Sequence, residues 1–569
     1  MRTTVGGILL LGLGSALAAG CGDEPLGSAE GPPPVAGGTL LVTDDGRWAI
    51  ASDPDRASIH VVDLERREAL HRIELTAADE PGRGVEGADG RVHVVLRRSG
   101  EVLTLDPASG EVRERRAVCA APRGIDVEPD TGGLVVACAE GLLVRLPASG
   151  GDRSVTTLEP DLRDVIALSG DRFFLSRFQS AELLLVEGGA IVERMRPPIA
   201  ESIGFGSATQ VPTVAWRTRA HPDGAIMVHQ LSTSTQLGTL SVPSGQYYGG
   251  DCVTGVVRSA VTVFDAATGP RSAGISGASL VVDLVADESE LHFAAASEPG
   301  NLLPLNGVRT MRSSMLAGSP ACNTAIDPYP LSPSAAIAVA LTPSGARVAQ
   351  YRDPALLRVD GGMGVVDIPL PGGRVEHLGY SLFHEAAGSG ATCASCHPEG
   401  GDDGHTWLFD IGARRTQTLR GGILQTAPFH WDGEVADVGA VMQGTFVGRM
   451  GGEMPRDYEL ESFGAWMDAL PALPAPRIDA GSVDRGRAAF EGAGCADCHT
   501  GDRGTNNATT DVGTGGEFQV PALEELAYRA PYLHDGSAGS LADVILTHGR
   551  GGTLSDGERT DLEAYLRSR

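Results

Sequence analysis

The region from about residue 40 to residue 370 is built from short runs in which hydrophobic and polar residues alternate. The stretch at 40–64 reads LLVTDDGRWAIASDPDRASIHVVDL, in which two turns separate the runs. The pattern returns about 44 residues later, at 87–112, as GADGRVHVVLRRSGEVLTLDPASGEV. Alternation with a period of two, bounded by turn residues, predicts short antiparallel strands.

Turn-then-strand signals of this kind occur seven times, which predicts seven repeats. Besides the two quoted above, they stand at 129–130, 169–171, 222–224, 286–288 and 343–345. Four short strands per period of about 40 residues are typical of a β-propeller, in which each small sheet buries its faces against its neighbours. A β-solenoid would need a shorter and stricter period. We therefore predict an all-β, seven-bladed propeller over residues 39–371.

From residue 372 onward the hydrophobic residues follow a helical spacing. The run DRGRAAFEGAGCADCH at 484–499 is predicted to begin with a helix that leads to its two cysteines. Ser555 and Glu558 form a predicted capping box at the start of another helix. A further apolar helical stripe, which we interpret as core, comprises Tyr458, Leu460, Phe463, Trp466, Met467 and Leu470. The run PALPAP follows this stripe and breaks it. We therefore predict two mainly α domains, 372–472 and 473–569.

The start of the chain is typical of an export signal. Arg2 is the only early charge, an apolar segment follows it, and small residues precede Cys21. The run LAAGC at 17–21 resembles the bacterial lipoprotein signal, which implies cleavage before Cys21 and a lipid on its sulfur; ordinary secretion is the alternative. We predict a signal at 1–20, a Pro/Gly-rich tether at 21–38, and a lipid-anchored location in the periplasm or at the cell surface.

The charge of the chain argues against one class of partner. The formal net charge is -28, and Arg supplies all 45 basic residues because the chain contains no Lys. The sequence offers no basic patch of the kind that follows phosphates. We therefore predict that the protein does not bind nucleic acid.

The 9 cysteines fall into three groups. Cys21 is the lipid candidate, and four others belong to two Cys-x-x-Cys-His motifs. The four that remain are Cys119, Cys138, Cys252 and Cys322, and in an exported protein they could pair in three ways. We favour a disulfide between Cys119 and Cys138 because both residues end short apolar runs in one repeat.

The two Cys-x-x-Cys-His motifs carry the clearest chemistry. Two thiols three positions apart can each bond one vinyl group of a porphyrin, and the next side chain then lies beneath the iron as an axial ligand. The covalent positions are Cys393, Cys396, Cys495 and Cys498, and the axial ligands are His397 and His499. Zinc is the alternative for paired cysteines, but a His directly follows each pair and the motifs lie about a hundred residues apart. We therefore predict two haem c groups.

Other runs placed around these motifs suggest a family. They are TAPFHWDG at 426–433, GGEMP at 451–455, FQVPALEELAYRAPYLHDG at 518–536 and SLADVILTHGRGG at 540–552. With the two motifs, this part of the chain resembles the bacterial dihaem cytochrome c peroxidases, a family that includes the enzyme that matures methylamine dehydrogenase. The resemblance covers about residues 375–569. The propeller is no part of a typical peroxidase, and its repeats resemble those of bacterial surface proteins.

The resemblance implies roles for three residues of the first haem domain, and a fourth residue, His430, is an alternative to one of them. Trp431 matches a tryptophan that carries electrons between the haems. His405, in GHTW, matches the removable sixth ligand of the first, peroxide-binding haem; His430 competes for the same iron, and we prefer His405 slightly. Glu453, beside Met454, matches a carboxylate that moves a proton during O–O cleavage. The structural alternatives are a packed aromatic residue, a solvated loop histidine and an exposed glutamate.

The second haem departs from the family pattern. His548 stands where the family has Met or Tyr, and imidazole favours ferric iron more than a thioether does, so we expect a lower potential than that of a His/Met centre. His534 matches a position near the haems that has no assigned chemistry here. An interhaem calcium ion, which the family implies, is doubtful because its Asn ligand has no counterpart in RRTQT at 414–418.

These observations predict an envelope oxidoreductase of cytochrome c peroxidase type. Hydrogen peroxide would react at the first haem near Glu453, and the second haem with Trp431 would relay electrons from a redox partner protein or a small electron donor. The alternative is an electron-transfer cytochrome whose two irons are both held by two histidines. A third hypothesis makes the propeller a platform that binds a partner or polymer.

Overall fold

The computed structural model describes most of the chain after residue 30. The described residues are 31–201, 209–238, 255–275, 278–297, 307–316, 322–323, 327–328, 335–362 and 364–569. The expected signal, Cys21 and Cys252 lie outside these ranges, and so does the side chain of Cys322. Cys119 and Cys138, in contrast, are described and are joined by a disulfide.

The described residues up to 369 form seven largely antiparallel sheets. Blades 1 to 4 contain the strands Leu40–Val42, Trp48–Asp53, Ser58–Asp63 and Glu68–Glu74; Pro81–Glu86, Val92–Leu96, Glu101–Leu105 and Val112–Ala117; Pro122–Val127, Leu134–Cys138, Leu142–Leu146 and Ser154–Thr157; and Leu162–Leu168, Arg172–Arg177, Leu183–Glu187 and Ala190–Met195. Blades 5 to 7 contain the strands Ala200–Glu201, Thr209–His221, Gly224–Thr233, Val257–Asp265, Gly269–Ile275 and Cys322–Asn323; Val281–Ala286, Glu290–Ala295, Gly307–Arg312 and Asp327–Pro328; and Ala336–Leu341, Arg347–Tyr351, Leu356–Asp360 and Val365–Pro369.

Hydrophobic cores between neighbouring blades close these sheets into a ring. One core joins Ile50 of blade 1 to Val94 of blade 2, and equivalent cores follow between each later pair of blades. The ring is completed by a core that contains Ala49 of blade 1 and Val348 of blade 7. Outer strands such as Val112–Ala117 are mostly exposed. The prediction of a seven-bladed propeller is therefore confirmed.

The C-terminal part contains short helices connected by long irregular segments. Its described helices are Leu378–His384, Cys393–Cys396, Val438–Val441, Asp457–Asp468, Ala480–Gly492, Leu541–Thr547 and Asp556–Arg567, and a π-helical turn, Met442–Val447, continues the third. Two small hairpins pair Thr406–Phe409 with Gly412–Arg415 and Thr509–Asp511 with Glu517–Gln519. Helices thus alternate with loops and a few strands, so "mainly α" describes this part only coarsely. No described helix is both long and apolar enough to cross a membrane.

The propeller and the first C-terminal domain share one hydrophobic core. This core contains Trp216 of blade 5 and Phe293 of blade 6 together with Tyr380, Phe383 and Trp466 of the C-terminal domain. Burying large aromatic side chains at such a contact stabilises it by roughly 1.5–3 kcal/mol for each Phe-sized residue. The first C-terminal domain is therefore packed against the ring as part of the same folded unit.

Residues 31–38 lie within this contact. The indole of Trp466 donates to the carbonyl of Pro32 at 2.9 Å, and the amide of Val35 donates to His384 Nε2 at 3.3 Å. A Cβ on Gly37, whose φ is +71°, would lie 2.3 Å from the carbonyl oxygen of Val282. Arg163 of blade 4 donates to the Ala36 carbonyl at 2.9 Å, so residues 31–38 contact side chains of both domains.

Candidate haem sites

The first Cys-x-x-Cys-His motif borders a cavity of about 660 Å³. Cys393, Cys396 and His397 line this cavity, and Thr392 and Ser395 form a capping box that fixes the short helix bearing the two thiols. The Nδ1 of His397 donates to the carbonyl of Gln417 at 3.0 Å. Burial lowers the pKa of His397, so its ring is neutral near pH 7. A neutral imidazole whose Nδ1 is occupied has its Nε2 lone pair available to a metal.

The second motif borders a separate cavity of about 480 Å³, which is lined by Cys495, Cys498 and His499. The Nδ1 of His499 donates to the carbonyl of Gly504 at 2.8 Å, so this histidine is held in the same way as the first. Both volumes lie in the range of about 300–1,000 Å³ that is usual for small-molecule and cofactor sites.

The cysteine pairs do not form zinc sites in the part of the chain that the structure describes. All four thiols are free. Neither motif belongs to a described group of three or more His, Cys, Asp or Glu ligand atoms within 4.8 Å of one another. A structural zinc ion needs four ligands in a tetrahedron, whereas these residues line large, predominantly apolar cavities. The arrangement fits a macrocycle better than a single ion.

The second cavity presents a second histidine opposite His499. The ring centroids of His499 and His548 are 6.4 Å apart, and their planes differ by 25°. Two metal–imidazole bonds of about 2 Å place the ligand nitrogens about 4 Å apart, and the rings extend this to about 6 Å between centroids. The spacing therefore fits one iron held by both histidines.

The local fold explains why His548 occupies this place. It follows the helix Leu541–Thr547, whose start is capped by Ser540 and Asp543. After the helix the chain turns back closely, because a Cβ on Gly551 would lie 2.1 Å from the carbonyl oxygen of Ile545. Glycine at this position therefore permits the tight return that places His548 beside the cavity.

The first cavity is also lined by a second histidine, and this one has a carboxylate partner. His430 and Glu434 line it, and His430 Nδ1 lies 2.8 Å from Glu434 Oε1. His430 has a φ of +66°, an unusual conformation for a residue with a side chain. The ring contacts of the described residues include the His499–His548 pair but no pairing of His397 with His430. Among the described residues, only the second site therefore has two histidine rings in such a contact.

His405, the ligand that we slightly preferred from the sequence, does not line this cavity. Its Nε2 lies 3.0 Å from the carbonyl oxygen of Thr233 on blade 5, and its ring packs against Trp407 with centroids 4.5 Å apart. Between the two histidines, the structure thus places His430 at the first site. The propeller holds His405 elsewhere through a contact between residues 172 positions apart, which no local sequence pattern could indicate.

Glu453, the predicted proton-transfer residue, is also outside the cavity. It is exposed, and neighbouring Met454 is 44% exposed. The carboxylates that line the cavity are Asp432 and Glu434. Asp432 accepts from Arg414 Nη2 at 2.7 Å and from Arg414 Nε at 2.8 Å, whereas Glu434 contacts His430. Sequence reasoning missed Glu434, although its spacing of four from His430 was visible in HWDGE.

Trp431 lies in the wall between the two cavities. It lines both of them, is 9% exposed, and donates from Nε1 to the carbonyl of Arg415 at 2.7 Å. The backbone N–H of Gln519 donates to the Trp431 carbonyl at 2.7 Å, so this wall contacts the second C-terminal domain. His534 lines only the second cavity and stacks on Phe518, with centroids 3.8 Å apart. Of these residues, Trp431 is best placed to connect the two sites.

The shared wall gives no support for a calcium ion. In the described ranges, the groups of candidate metal ligands are Cys119, Cys138 and Glu140, and Asp287, Glu290 and His292. Both groups belong to the propeller, and the first contains the disulfide. The calcium ion therefore stays a doubtful prediction.

The propeller also contacts the loop that carries the first Cys-x-x-Cys-His motif. The Gln230 side chain of blade 5 donates to the carbonyl of Ser395 at 2.9 Å, inside the Cys-x-x-Cys turn. Glu399, two residues after His397, contacts Arg97 at 2.5 Å and Arg163 at 2.6 Å, and both arginines come from the propeller. The geometry of the first site thus depends on the ring as well as on its own domain.

No protein-family model matches this chain. Methylamine utilization protein MauG of Methylorubrum extorquens is 33% identical over 115 residues, which cover 14% of this chain and 33% of that protein. The chain thus spans about a third of the length of this curated relative. The match supports a cytochrome module of the dihaem peroxidase type and implies haem c as its cofactor.

Solved structures give weaker matches. A chain of hydrazine synthase from Kuenenia stuttgartiensis matches with a TM-score of 0.41 and 15% identity, covering 60% of this chain and 97% of that one. Virginiamycin B lyase from Staphylococcus aureus matches with a TM-score of 0.37 and 11% identity, covering 57% of this chain and 92% of that one. Scores at this level carry no argument about this chain.

Proposed function

We propose that this chain is a dihaem c-type cytochrome of the cell envelope that reduces hydrogen peroxide at its first haem and takes electrons through its second. One observation carries the proposal: two cavities, each bordered by a Cys-x-x-Cys-His motif, share a wall containing Trp431, and among the described residues the ring contact of His499 with His548 has no counterpart between His397 and His430. The envelope location rests on the export signal and Cys21.

The residues of each site have distinct tasks in this proposal. Two thioether bonds to each cysteine pair would hold the haems, with His397 and His499 as proximal ligands and His548 as the sixth ligand of the second haem. Haem c, when bound, would supply a redox-active iron at each site, and the first cavity would admit peroxide. Trp431 supports electron passage because it borders both cavities and is well packed.

His430 and Glu434 would handle protons at the first site. A base within reach of peroxide can take the proton from one oxygen and return it to the other as the O–O bond breaks. His430 lines the cavity, and its contact with Glu434 fixes the ring. Arg449 lines the same cavity and can stabilise developing negative charge. Overall, peroxide, two protons and two electrons from an external donor give two waters.

The second candidate function is electron transfer without peroxide chemistry. The specific observation in its favour is the contact between His430 and Glu434, because metal-bound histidines commonly donate their other ring nitrogen to a carboxylate. In that case His430 would be the second axial ligand of the first iron. The propeller would serve as a platform for the redox partner.

An anaerobic peroxide titration of the full-length protein, loaded with haem in a competent host, distinguishes the two. The peroxidase proposal expects a rapid change in about half of the Soret absorbance and a slower response from the rest. The H405Q variant is the matched control and should behave like the parent, because His405 is held by Thr233. A protein with two low-spin haems that are inert to peroxide would refute peroxidase chemistry.

A further inference from the structure

Arg529 occupies an unusual position between the two candidate haem sites. It lines both cavities, as does Arg415. Its Nη1 donates to the carbonyls of Ala522 and Glu524, each at 3.2 Å. Burial lowers the pKa of Arg529, and Asp402 only partly opposes this effect. The guanidinium is therefore a cation at a poorly solvated place, anchored by two backbone groups.

Three other arginines at the cavities each pair with a carboxylate. Arg415 pairs with Asp402 at 2.8 Å, Arg414 with Asp432 at 2.7 Å, and Arg550 with Asp497 at 3.0 Å. Arg529 forms no ion pair within 4.0 Å among the residues that the structure describes. Asp402 and Glu525 act on Arg529 only from beyond that distance. A buried cation with no anion in direct contact is unfavourable, so this arrangement indicates that an anion belongs beside it.

The haems of the proposed function would supply such an anion. Each haem c carries two propionate carboxylates on the edge opposite its vinyl-derived bonds. A guanidinium presents several donors in a fixed fork and can bind carboxylates on more than one side. We propose that Arg529 is a shared carboxylate-binding residue that takes a propionate from each haem. This inference rests on the proposed function, because it requires both haems to be present.

Binding both propionates would make Arg529 a common electrostatic control on the two irons. Reduction lowers the charge of a haem by one, so a nearby positive charge favours the reduced form of each. Removing that charge should lower both reduction potentials. Arg449 provides a matched contrast, because it lines only the first cavity. Its removal should lower only the first potential.

The test is an anaerobic spectroelectrochemical titration of full-length protein carrying R529Q or R449Q, with haem content measured for each. R529Q should retain two haems and lower each midpoint potential by about 59 mV. For a one-electron couple, this shift corresponds to a roughly tenfold lower ratio of reduced to oxidised haem at a fixed applied potential. R449Q should shift one potential only. A fully loaded R529Q protein with one or both potentials unchanged would overturn the inference.

A second variant keeps the inference testable if R529Q does not load haem. R529K retains a charge but loses the fork, so the propionate-bending bands of both haems should shift in its resonance Raman spectrum; unchanged bands would overturn the inference. No step of either test uses peroxide. A failure of peroxide reduction therefore refutes the catalytic proposal alone, whereas unchanged potentials in a two-haem protein refute the role of Arg529 alone.

Discussion

Replacing Glu399 by Gln should loosen the contact between the propeller and the first haem-attachment loop. Glu399 is 5% exposed and contacts Arg97 at 2.5 Å and Arg163 at 2.6 Å. Arg420 lies 4.0 Å away, and Arg123 also acts on its carboxylate. These contacts join His397's own loop to three neighbouring blades. The E399Q change removes the negative charge while nearly preserving the shape of the side chain.

The charge that is lost matters because its partners remain buried. Burial raises the pKa of Glu399, but Arg163, Arg97 and Arg123 outweigh this and hold the pKa well below its ordinary value of 4.5. Removing one partner of a buried ion pair typically costs about 3–5 kcal/mol. Since the folded-state pKa is depressed, this stabilisation is present above about pH 4.5 and declines as the pH falls below it.

Urea unfolding of the loaded full-length protein, followed by circular dichroism, measures this effect as a shift in midpoint at constant slope. E399Q should lose about 3–5 kcal/mol at pH 7, and less as the pH is lowered. E187Q is the matched control, because the Glu187–Arg172 pair is exposed, with side chains 43% and 46% accessible; it should cost less than about 1 kcal/mol. Equal stabilities for the two variants would refute the reasoning.

Three further predictions concern the haem sites. H430A should retain both haems but slow the reaction with peroxide by roughly 10²–10⁴-fold in stopped-flow measurements, whereas E453Q should have little effect because Glu453 is exposed; the reverse result would restore Glu453 as the proton-transfer residue. H548M should raise the midpoint potential of the second haem in a redox titration, and an unchanged potential would show that His548 is not its ligand. W431F should slow electron passage between the haems several-fold after rapid reduction of the second haem, and an unchanged rate would exclude Trp431 from the route.

The sequence predicted those features that depend on local patterns. Turn residues and alternation identified seven blades, since each blade is made largely of consecutive strands. The two Cys-x-x-Cys-His motifs are also local patterns, and the structure places each of them beside its own cavity. His548 lies in a short run that resembles the family, and the structure places it beside His499 in the second cavity.

Features set by contacts between distant residues were missed. His405 lies outside the first cavity, and its Nε2 contacts the Thr233 carbonyl oxygen of blade 5. Residues 31–38 form hydrogen bonds with the side chains of Trp466 and His384. Glu453 lies in a run that matched the family, yet the chain preceding it passes through a π-helical turn and leaves Glu453 at the surface. Spacing along the chain shows which residue types are available, but packing decides which of them face a cavity.

Electron paramagnetic resonance of the ferric full-length protein, quantified against its haem content, tests the central claim most directly. Two haems per chain should give one low-spin signal from the centre held by His499 and His548 and one high-spin signal from the open first centre. Two low-spin signals of equal intensity, or a chain without bound haem, would contradict the account.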